Sequence, residues 1–210
     1  MILNYIKKHS LFFSFAFALL AAMLNGYAAV TYPYYEQSSK ELHDTLFHYL
    51  SPPISSNIPN MLLFIFIVYF IVKCFSFNKT ILKKFFLLVG ILYIFRVLLF
   101  TLTETPVPNK FKSTCINSNN FKKFNFKNIS HYPDLCIDNM YSGHSMISVA
   151  IMMFVLEYSN SIVEKTIIII LTISMLLSLI WSRLHYTQDV LVALLITTSW
   201  SYFINNTNII

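Results

Sequence analysis

The chain has 210 residues, of which 56% are hydrophobic and only 11% charged, whereas soluble domains carry about 25% charged residues. Its formal net charge of +6 does not indicate nucleic-acid binding, because the basic residues lie between long apolar blocks, where anionic lipid is the simpler partner. The composition therefore excludes an ordinary soluble domain and predicts an all-α, polytopic membrane protein.

Six apolar segments predict six membrane-spanning helices in a single domain, residues 1–210. A helix crosses the hydrocarbon layer, about 30 Å thick, with roughly 20 residues. The fourth and sixth segments reach that length only when they begin at His144 and His185, which places both histidines at the membrane–water boundary. The predicted helices are 11–30, 61–77, 81–102, 144–160, 166–183 and 185–204, with outward loops at 31–60 and 104–143.

The first apolar segment has two interpretations. Lys7 and Lys8, the apolar run and then Tyr27-Ala28-Ala29 resemble a signal peptide with its cleavage site. The run continues to Val30, which is long for a signal peptide, so we predict a retained helix.

The positive charges give a partial prediction of orientation. With six spans both termini share one side, and the lysines and arginines divide evenly between the two sides, seven against seven. The early helices usually dominate, and there the balance is six against one. This favours cytoplasmic termini and places the two outward loops on the lumenal or extracellular side.

Three cysteines lie in two different settings. Cys74 falls in an apolar segment and is predicted to be a small core residue. Cys115 and Cys136 share the long polar loop, where an oxidising compartment would allow a disulfide, although sequence spacing alone does not decide it. The same loop carries Asn128-Ile129-Ser130, a glycosylation acceptor pattern.

The first chemically informative cluster runs over residues 183–189. His185 and Asp189 are four residues apart, so on a helix they share a face, and the carboxylate can accept a hydrogen bond from one imidazole nitrogen. The other nitrogen is then a better nucleophile or base. A capping carboxylate beside an interfacial histidine is the alternative, but ionisable residues at membrane helices are costly and usually functional.

The second cluster is Ser142-Gly143-His144. Serine is a natural N-cap, glycine allows close approach of a ligand, and amide groups at a helix start attract phosphate. Taken alone, this triplet is explained better by a simple helix cap with a surface histidine.

The two clusters together are more informative than either one. An even number of crossings between them puts His144 and His185 at the same interface, with Asp189 beside the second histidine. One histidine can attack phosphorus while the other protonates the leaving alkoxide, so the set suffices for phosphoryl transfer. A metal site is the alternative use of two histidines and an aspartate.

The pairing of Ser142-Gly143-His144 with His185 and Asp189 resembles the type-2 phosphatidic acid phosphatase superfamily, which implies a lipid phosphatase-like helical core. The chain lacks the Lys…Arg-Pro motif that the phosphatase branch carries before its Ser-Gly-His. Arg183 also lies closer to the second histidine than the corresponding arginine of that branch. These departures favour another branch of the superfamily.

The sphingomyelin synthase family is the branch with the closer resemblance. Residues 136–144 resemble its Cys-Gly-Asp…Phe-Ser-Gly-His motif, although Ile137 stands where glycine is usual. Residues 185–190 resemble its His-Tyr-Thr-Ile-Asp-Val. The stretch 96–108 is similar to its Arg…Thr-Leu-Pro-Val-Pro, although Glu104-Thr105 replace the leucine. The resemblance covers most of the chain from about residue 96 onward.

This resemblance implies a sphingolipid synthase that moves phosphocholine from phosphatidylcholine to ceramide and releases diacylglycerol. His185, oriented by Asp189, would attack phosphorus, and His144 would protonate the leaving oxygen and later deprotonate ceramide. The amides of Ser142 and Gly143, together with Arg183, would stabilise the developing charge, and neither a cofactor nor a metal is required. The site would face the lumen or the exterior, at the Golgi or the plasma membrane by resemblance.

Three further residues have more than one interpretation. Asp138 either orients His144 or contacts the head group, or it is an ordinary loop residue. Tyr141 and Tyr186 either form a cation–π site for choline or belong to an interfacial aromatic belt.

Other functions stay open. A hydrolase would use the same histidines and aspartate with water as acceptor, and phosphoethanolamine or phosphoinositol transfer needs only a different pocket. A non-enzymatic transporter or scaffold is a different class, for which Arg96, inside an apolar segment, is the main supporting residue.

Overall fold

The computed structural model describes residues 10–31, 42–75, 78–103 and 141–206, and within these ranges the chain is helical with no β-strand. The predicted all-helical architecture is therefore confirmed for the described part of the chain. The helices are α1 (Ser10–Thr31), α2 (Thr45–Tyr49), α3 (Asn57–Cys74), α4 (Lys79–Leu102), α5 (Gly143–Tyr158), α6 (Ile162–Trp181) and α7 (Thr187–Asn206).

Four of the described helices are long and apolar enough to cross a membrane. They are α1 over Ser10–Ala28, α3, α4 and α6, with 19, 18, 24 and 20 residues. Large apolar side chains on them, such as Phe12, Phe64 and Ile162, point outward, as expected of surfaces that contact lipid. Helix α5 is apolar but shorter, with 16 residues. These helices support a membrane protein, whereas the count of six spans stays a prediction.

Polar residues define where several helices begin. The Ser142 hydroxyl accepts a hydrogen bond from the Ser145 amide at 3.2 Å, so α5 begins at Gly143. The Asn78 side chain caps α4 in the same way, accepting from the Ile81 amide at 2.9 Å. Such side-chain oxygens satisfy amides that have no partner within the first turn of a helix.

The described helices differ in some places from the predicted segments. Helix α5 begins one residue before its predicted start and α7, at Thr187, begins two residues after it, a common margin at helix ends. The predicted loop 31–60 contains α2 and the first turn of α3. Most of the predicted loop 104–143, including Cys115, Cys136 and Asn128, lies outside the described residues.

Helix α5 lies at the centre of the bundle, packed against α3, α4, α6 and α7. Its side chains Met146, Val149, Ala150 and Phe154 are all fully buried. Helix α1 packs against α4, where Gly90 allows close contact, because a Cβ there would lie 2.4 Å from ring carbons of Phe17. The central position of α5 places its first residues among several neighbouring helix ends.

The bundle has two polar ends. The motif end, as we name it, combines the starts of α3, α5 and α7 with the ends of α4 and α6. The opposite end, the Glu164 end, is held by Glu164, which pairs with Lys73 at 2.5 Å and accepts hydrogen bonds from Tyr69 at 2.7 Å and from Ser159. Both predicted histidine motifs lie at the motif end.

Candidate active site

The two motif histidines lie next to each other. His144 is the second residue of α5, and His185 lies in the turn that joins α6 to α7. Their ring centroids are 6.4 Å apart. The backbones are also linked, because the Ser142 amide donates to the Asp189 carbonyl at 3.4 Å. The fold thus brings together two imidazoles from segments about forty residues apart in the sequence.

Asp189 faces His185 from the first turn of α7. Its Oδ2 lies 3.9 Å from His185 Nδ1, which is too long for a hydrogen bond but within range of an ion pair. The same Oδ2 accepts a hydrogen bond from the Tyr186 amide at 3.1 Å. His185 precedes α7, so His185 and Asp189 do not share a helical face. The carboxylate lies near the imidazole because the Asp189 side chain folds back to cap the start of α7.

The Asp189 carboxylate is completely buried, and His185 is 7% exposed. Within the described ranges, Asp189 Oδ1 has no hydrogen-bond partner. A buried carboxylate with an unpartnered oxygen is costly to maintain for stability alone, which supports a chemical role for this residue.

His144 has a partner that the sequence did not indicate. Its Nε2 lies 2.9 Å from Oδ1 of Asn60, in the first turn of α3. Asn60 falls at the end of the predicted loop 31–60, and its only sequence signal is a polar residue just before an apolar block. This contact ties the first histidine to a helix that carries neither motif.

Arg96 is a second residue that sequence reasoning did not assign to the site. It lies in α4, is only 6% exposed, and donates from Nε to the Tyr141 carbonyl at 2.8 Å and from Nη1 to Asn25 at 3.3 Å. A Cβ on Gly143 would lie 3.2 Å from the guanidinium carbon. The available signal was an arginine inside an apolar segment, which is functional by default in a membrane protein.

Arg183 lies on the His185 side of the site. Its backbone has a φ of 59°, a left-handed conformation that fits the tight turn between α6 and α7. Its Nη2 donates to the Phe47 carbonyl at 3.4 Å, and its guanidinium carbon is 5.5 Å from the Phe47 ring centroid. Among the residues described, nothing accepts a hydrogen bond from its buried Nε, so this donor is available to an anionic group.

Tyr141 and Tyr186 are both buried, with 0% and 1% exposure. Tyr141 donates its hydroxyl to the Leu92 carbonyl at 2.6 Å, and burial raises the pKa of this phenol, which keeps it protonated as a donor. Tyr186 stacks on Phe47 at 5.5 Å, and its hydroxyl accepts from the Leu42 amide at 3.4 Å. These contacts favour a structural role, and the choline contact stays a prediction.

A short segment, residues 42–56, covers the His185 side of the motif end. Asp44 accepts hydrogen bonds from the Thr187 amide at 2.6 Å and from the Thr187 hydroxyl at 2.8 Å, so it caps α7 from a distant part of the chain. The Trp181 indole donates to the Pro52 carbonyl at 2.9 Å. The start of α7, which carries Asp189, is therefore fixed by hydrogen bonds to segment 42–56 as well as by the Asp189 cap.

The remaining predicted residues are placed as follows. Ser142 uses its hydroxyl to cap α5, and Gly143 provides the first turn of that helix beside Arg96. Asp138 lies outside the described residues. In the described ranges, no cluster of three or more histidine, cysteine, aspartate or glutamate side chains is arranged to hold a metal ion.

Residues 135–207 match the protein-family model described as PAP2 superfamily C-terminal. The matched region contains both histidine motifs and Arg183, and it leaves residues 1–134 unmatched. It supports the type-2 phosphatidic acid phosphatase-like superfamily, whose members are phosphatases and phosphotransferases, and so supports an enzyme. No curated protein matches the chain.

Proposed function

We propose that the protein is a sphingolipid synthase that transfers phosphocholine from phosphatidylcholine to ceramide, giving sphingomyelin and diacylglycerol. The observation that carries this proposal is the 6.4 Å separation of the His144 and His185 rings, with the Asp189 carboxylate beside the second ring. Two imidazoles this close together can act on one phosphate group, one ring at phosphorus and the other at an oxygen bound to it.

The first half-reaction breaks the bond between phosphorus and the diacylglycerol oxygen. A nitrogen of His185 attacks phosphorus and forms a phosphohistidine, and His144 donates a proton to the leaving oxygen. Asp189, 3.9 Å from His185 Nδ1, stabilises the positive charge that develops on the attacking imidazole. Diacylglycerol leaves with the proton, and the head group stays on the enzyme.

The second half-reaction restores the enzyme. His144, now neutral, takes the proton of the ceramide hydroxyl, whose oxygen attacks phosphorus and displaces His185. Negative charge on phosphorus is stabilised by the amides at the start of α5, by Arg96 behind Gly143, and by the buried Nε of Arg183. Arg96 thus adds a cation to the predicted set.

A hydrolase is the second candidate, because the matched superfamily includes phosphatases. It would follow the same first half-reaction, and water would then take the place of ceramide. Segment 42–56 bears on this choice, since it is hydrogen-bonded to the start of α7 and to the end of α6 beside His185, which is only 7% exposed. This cover favours transfer to a lipid hydroxyl over hydrolysis.

The test is a transfer assay in liposomes with labelled ceramide and one donor at a time: phosphatidylcholine, phosphatidylethanolamine or phosphatidylinositol. Labelled phosphoceramide made by the wild type and absent with His185→Ala or His144→Ala is the expected result. His48→Ala is the matched control, because His48 is exposed at the same end and its ring contacts Tyr49 instead of the site.

Each other outcome has a defined meaning. The donor that labels ceramide identifies the head group, and a donor other than phosphatidylcholine corrects that part of the proposal. Diacylglycerol released without labelled ceramide, and dependent on His185, would establish the hydrolase. No turnover of any donor by folded wild-type protein would overturn the enzymatic proposal.

A further inference from the structure

Among the described residues, Asn60 has the only side chain that forms a hydrogen bond with the His144 ring, and it belongs to a helix outside both motifs. Its Oδ1 lies 2.9 Å from His144 Nε2. An amide oxygen accepts hydrogen bonds and does not donate them, so this arrangement places a proton on Nε2. The other ring nitrogen, Nδ1, is then the atom that can gain and lose a proton.

We propose that Asn60 is a positioning residue for the transfer reaction: by accepting a hydrogen bond from His144 Nε2, it fixes the ring and assigns proton exchange to Nδ1. The inference rests on the proposed function, because it concerns the acid–base role of His144. In the first half-reaction Nδ1 gives its proton to the diacylglycerol oxygen, and in the second it takes the ceramide proton. The Nε2 proton stays on His144, hydrogen-bonded to Asn60 Oδ1, throughout.

The two histidines of the site therefore have partners of different chemistry. His185 faces the Asp189 carboxylate, which carries a charge suited to stabilise a cationic phosphohistidine. His144 contacts a neutral amide, which orients the imidazole without adding a negative charge that would hold the acidic proton. This difference assigns the nucleophile to His185 and the acid and base to His144.

The location of Asn60 adds a structural reason for this role. It is the fourth residue of α3, whereas His144 is at the start of α5, so their contact fixes the relative positions of two helix starts at the motif end. The side chain of a histidine in the first turn of a helix can rotate, and a hydrogen bond to another rigid helix fixes its ring orientation. Among the described residues, the other charged or titratable groups at this end include His185, Asp189, Arg96, Arg183 and Asp44, with His48, Tyr141 and Tyr186 farther from the His144 ring nitrogens that the inference concerns.

The experiment compares Asn60→Ala with Asn57→Ala in the liposome transfer assay. Asn57 is an exposed asparagine in the same turn of α3, so it controls for loss of an amide at that helix start. We expect Asn60→Ala to lower kcat about 10- to 100-fold with little change in KM, and Asn57→Ala to change neither. Asn60→Asp, which keeps an acceptor oxygen, should restore part of kcat and move the optimum to higher pH.

A spectroscopic measurement distinguishes positioning from a general structural effect. With ¹⁵N-labelled histidine, the His144 signal, assigned by its loss in His144→Ala, should report a proton on Nε2 in the wild type. In Asn60→Ala it should become a mixture of tautomers. Wild-type kcat in Asn60→Ala, an equal loss in Asn57→Ala, or an unchanged tautomer would each overturn the inference.

This design separates failure of the inference from failure of the proposed function. Transfer that needs His185 but is unaffected by Asn60→Ala leaves the enzyme assignment standing and removes the role of Asn60. No turnover by folded wild type overturns the proposed function, and the catalytic role of Asn60 falls with it.

Discussion

The guanidinium of Arg96 lies directly against Gly143, and a Cβ added to that glycine would be 3.2 Å from the guanidinium carbon. This contact puts a buried cation beside the first turn of α5, one residue from His144. Helix starts attract anions through their amides, and a cation in the same place strengthens that attraction. Because Gly143 has no side chain, the Arg96 guanidinium can lie directly against the start of α5.

Replacement of Arg96 by lysine should lower transfer activity at least about 10-fold, because lysine lacks the planar fork that reaches both the Tyr141 carbonyl and Asn25. A higher KM for the lipid donor would accompany the lower kcat if the guanidinium binds phosphate. The measurement is steady-state transfer with varied donor. The control is Asn25→Ala, which removes one hydrogen-bond partner of Arg96 but keeps the guanidinium. Equal kinetics for Arg96→Lys and wild type would contradict the role of Arg96.

Replacement of Asp189 by asparagine should leave the fold intact and lower kcat by about 10²- to 10⁴-fold. The asparagine side-chain oxygen can still accept from the Tyr186 amide, so α7 keeps its cap, but the charge facing His185 is lost. The thermal unfolding midpoint and kcat, measured on the same preparation, test this separation. Asp189→Ala should lower both quantities, and a kcat for Asp189→Asn near that of wild type would exclude an electrostatic role.

Sequence reasoning placed the two histidines at one end of the bundle, and this followed from a simple count of crossings. It also identified Ser142 as a helix cap. It did not find Asn60, Arg96 or Asp44 as partners of the motifs, because their contacts join residues more than forty positions apart. Helical periodicity describes neighbours within one helix, whereas these contacts depend on how the helices pack.

The spacing of His185 and Asp189 was informative, although the geometry behind it differs from the expectation. A shared helical face was predicted, but His185 lies in the turn before α7, and its Nδ1 is 3.9 Å from the carboxylate. The turn forms because Arg183 adopts a left-handed backbone and Asp189 caps the helix that follows. Residue spacing alone does not distinguish a helix start from a helix interior.

Asp44 and Thr187 should be energetically coupled across the motif end. Asp44 accepts from both the amide and the hydroxyl of Thr187, so Asp44→Ala should destabilise the protein by about 1–2 kcal/mol, as loss of a helix cap does. Thr187→Val removes only the hydroxyl bond and should cost less. A double-mutant cycle on unfolding in detergent should give a coupling energy of about 0.5 kcal/mol or more. Strict additivity of the two substitutions would show that the Thr187 hydroxyl contributes nothing to the attachment of segment 42–56.

Glu164 provides the complementary test at the end of the bundle away from the histidines. Its carboxylate joins Lys73, Tyr69 and Ser159, and thereby fastens the start of α6 to the ends of α3 and α5. Because the Lys73 and Glu164 side chains are 31% and 18% exposed, the ion pair itself contributes only about 1 kcal/mol or less. Glu164→Gln should therefore lower the unfolding midpoint slightly and leave kcat unchanged, since the substitution is remote from both imidazoles. Transfer kinetics and thermal unfolding of this variant, beside Lys73→Met, are the measurements. A large loss of kcat with an unchanged unfolding midpoint would contradict this expectation. It would mean that the Glu164 end and the motif end are functionally coupled.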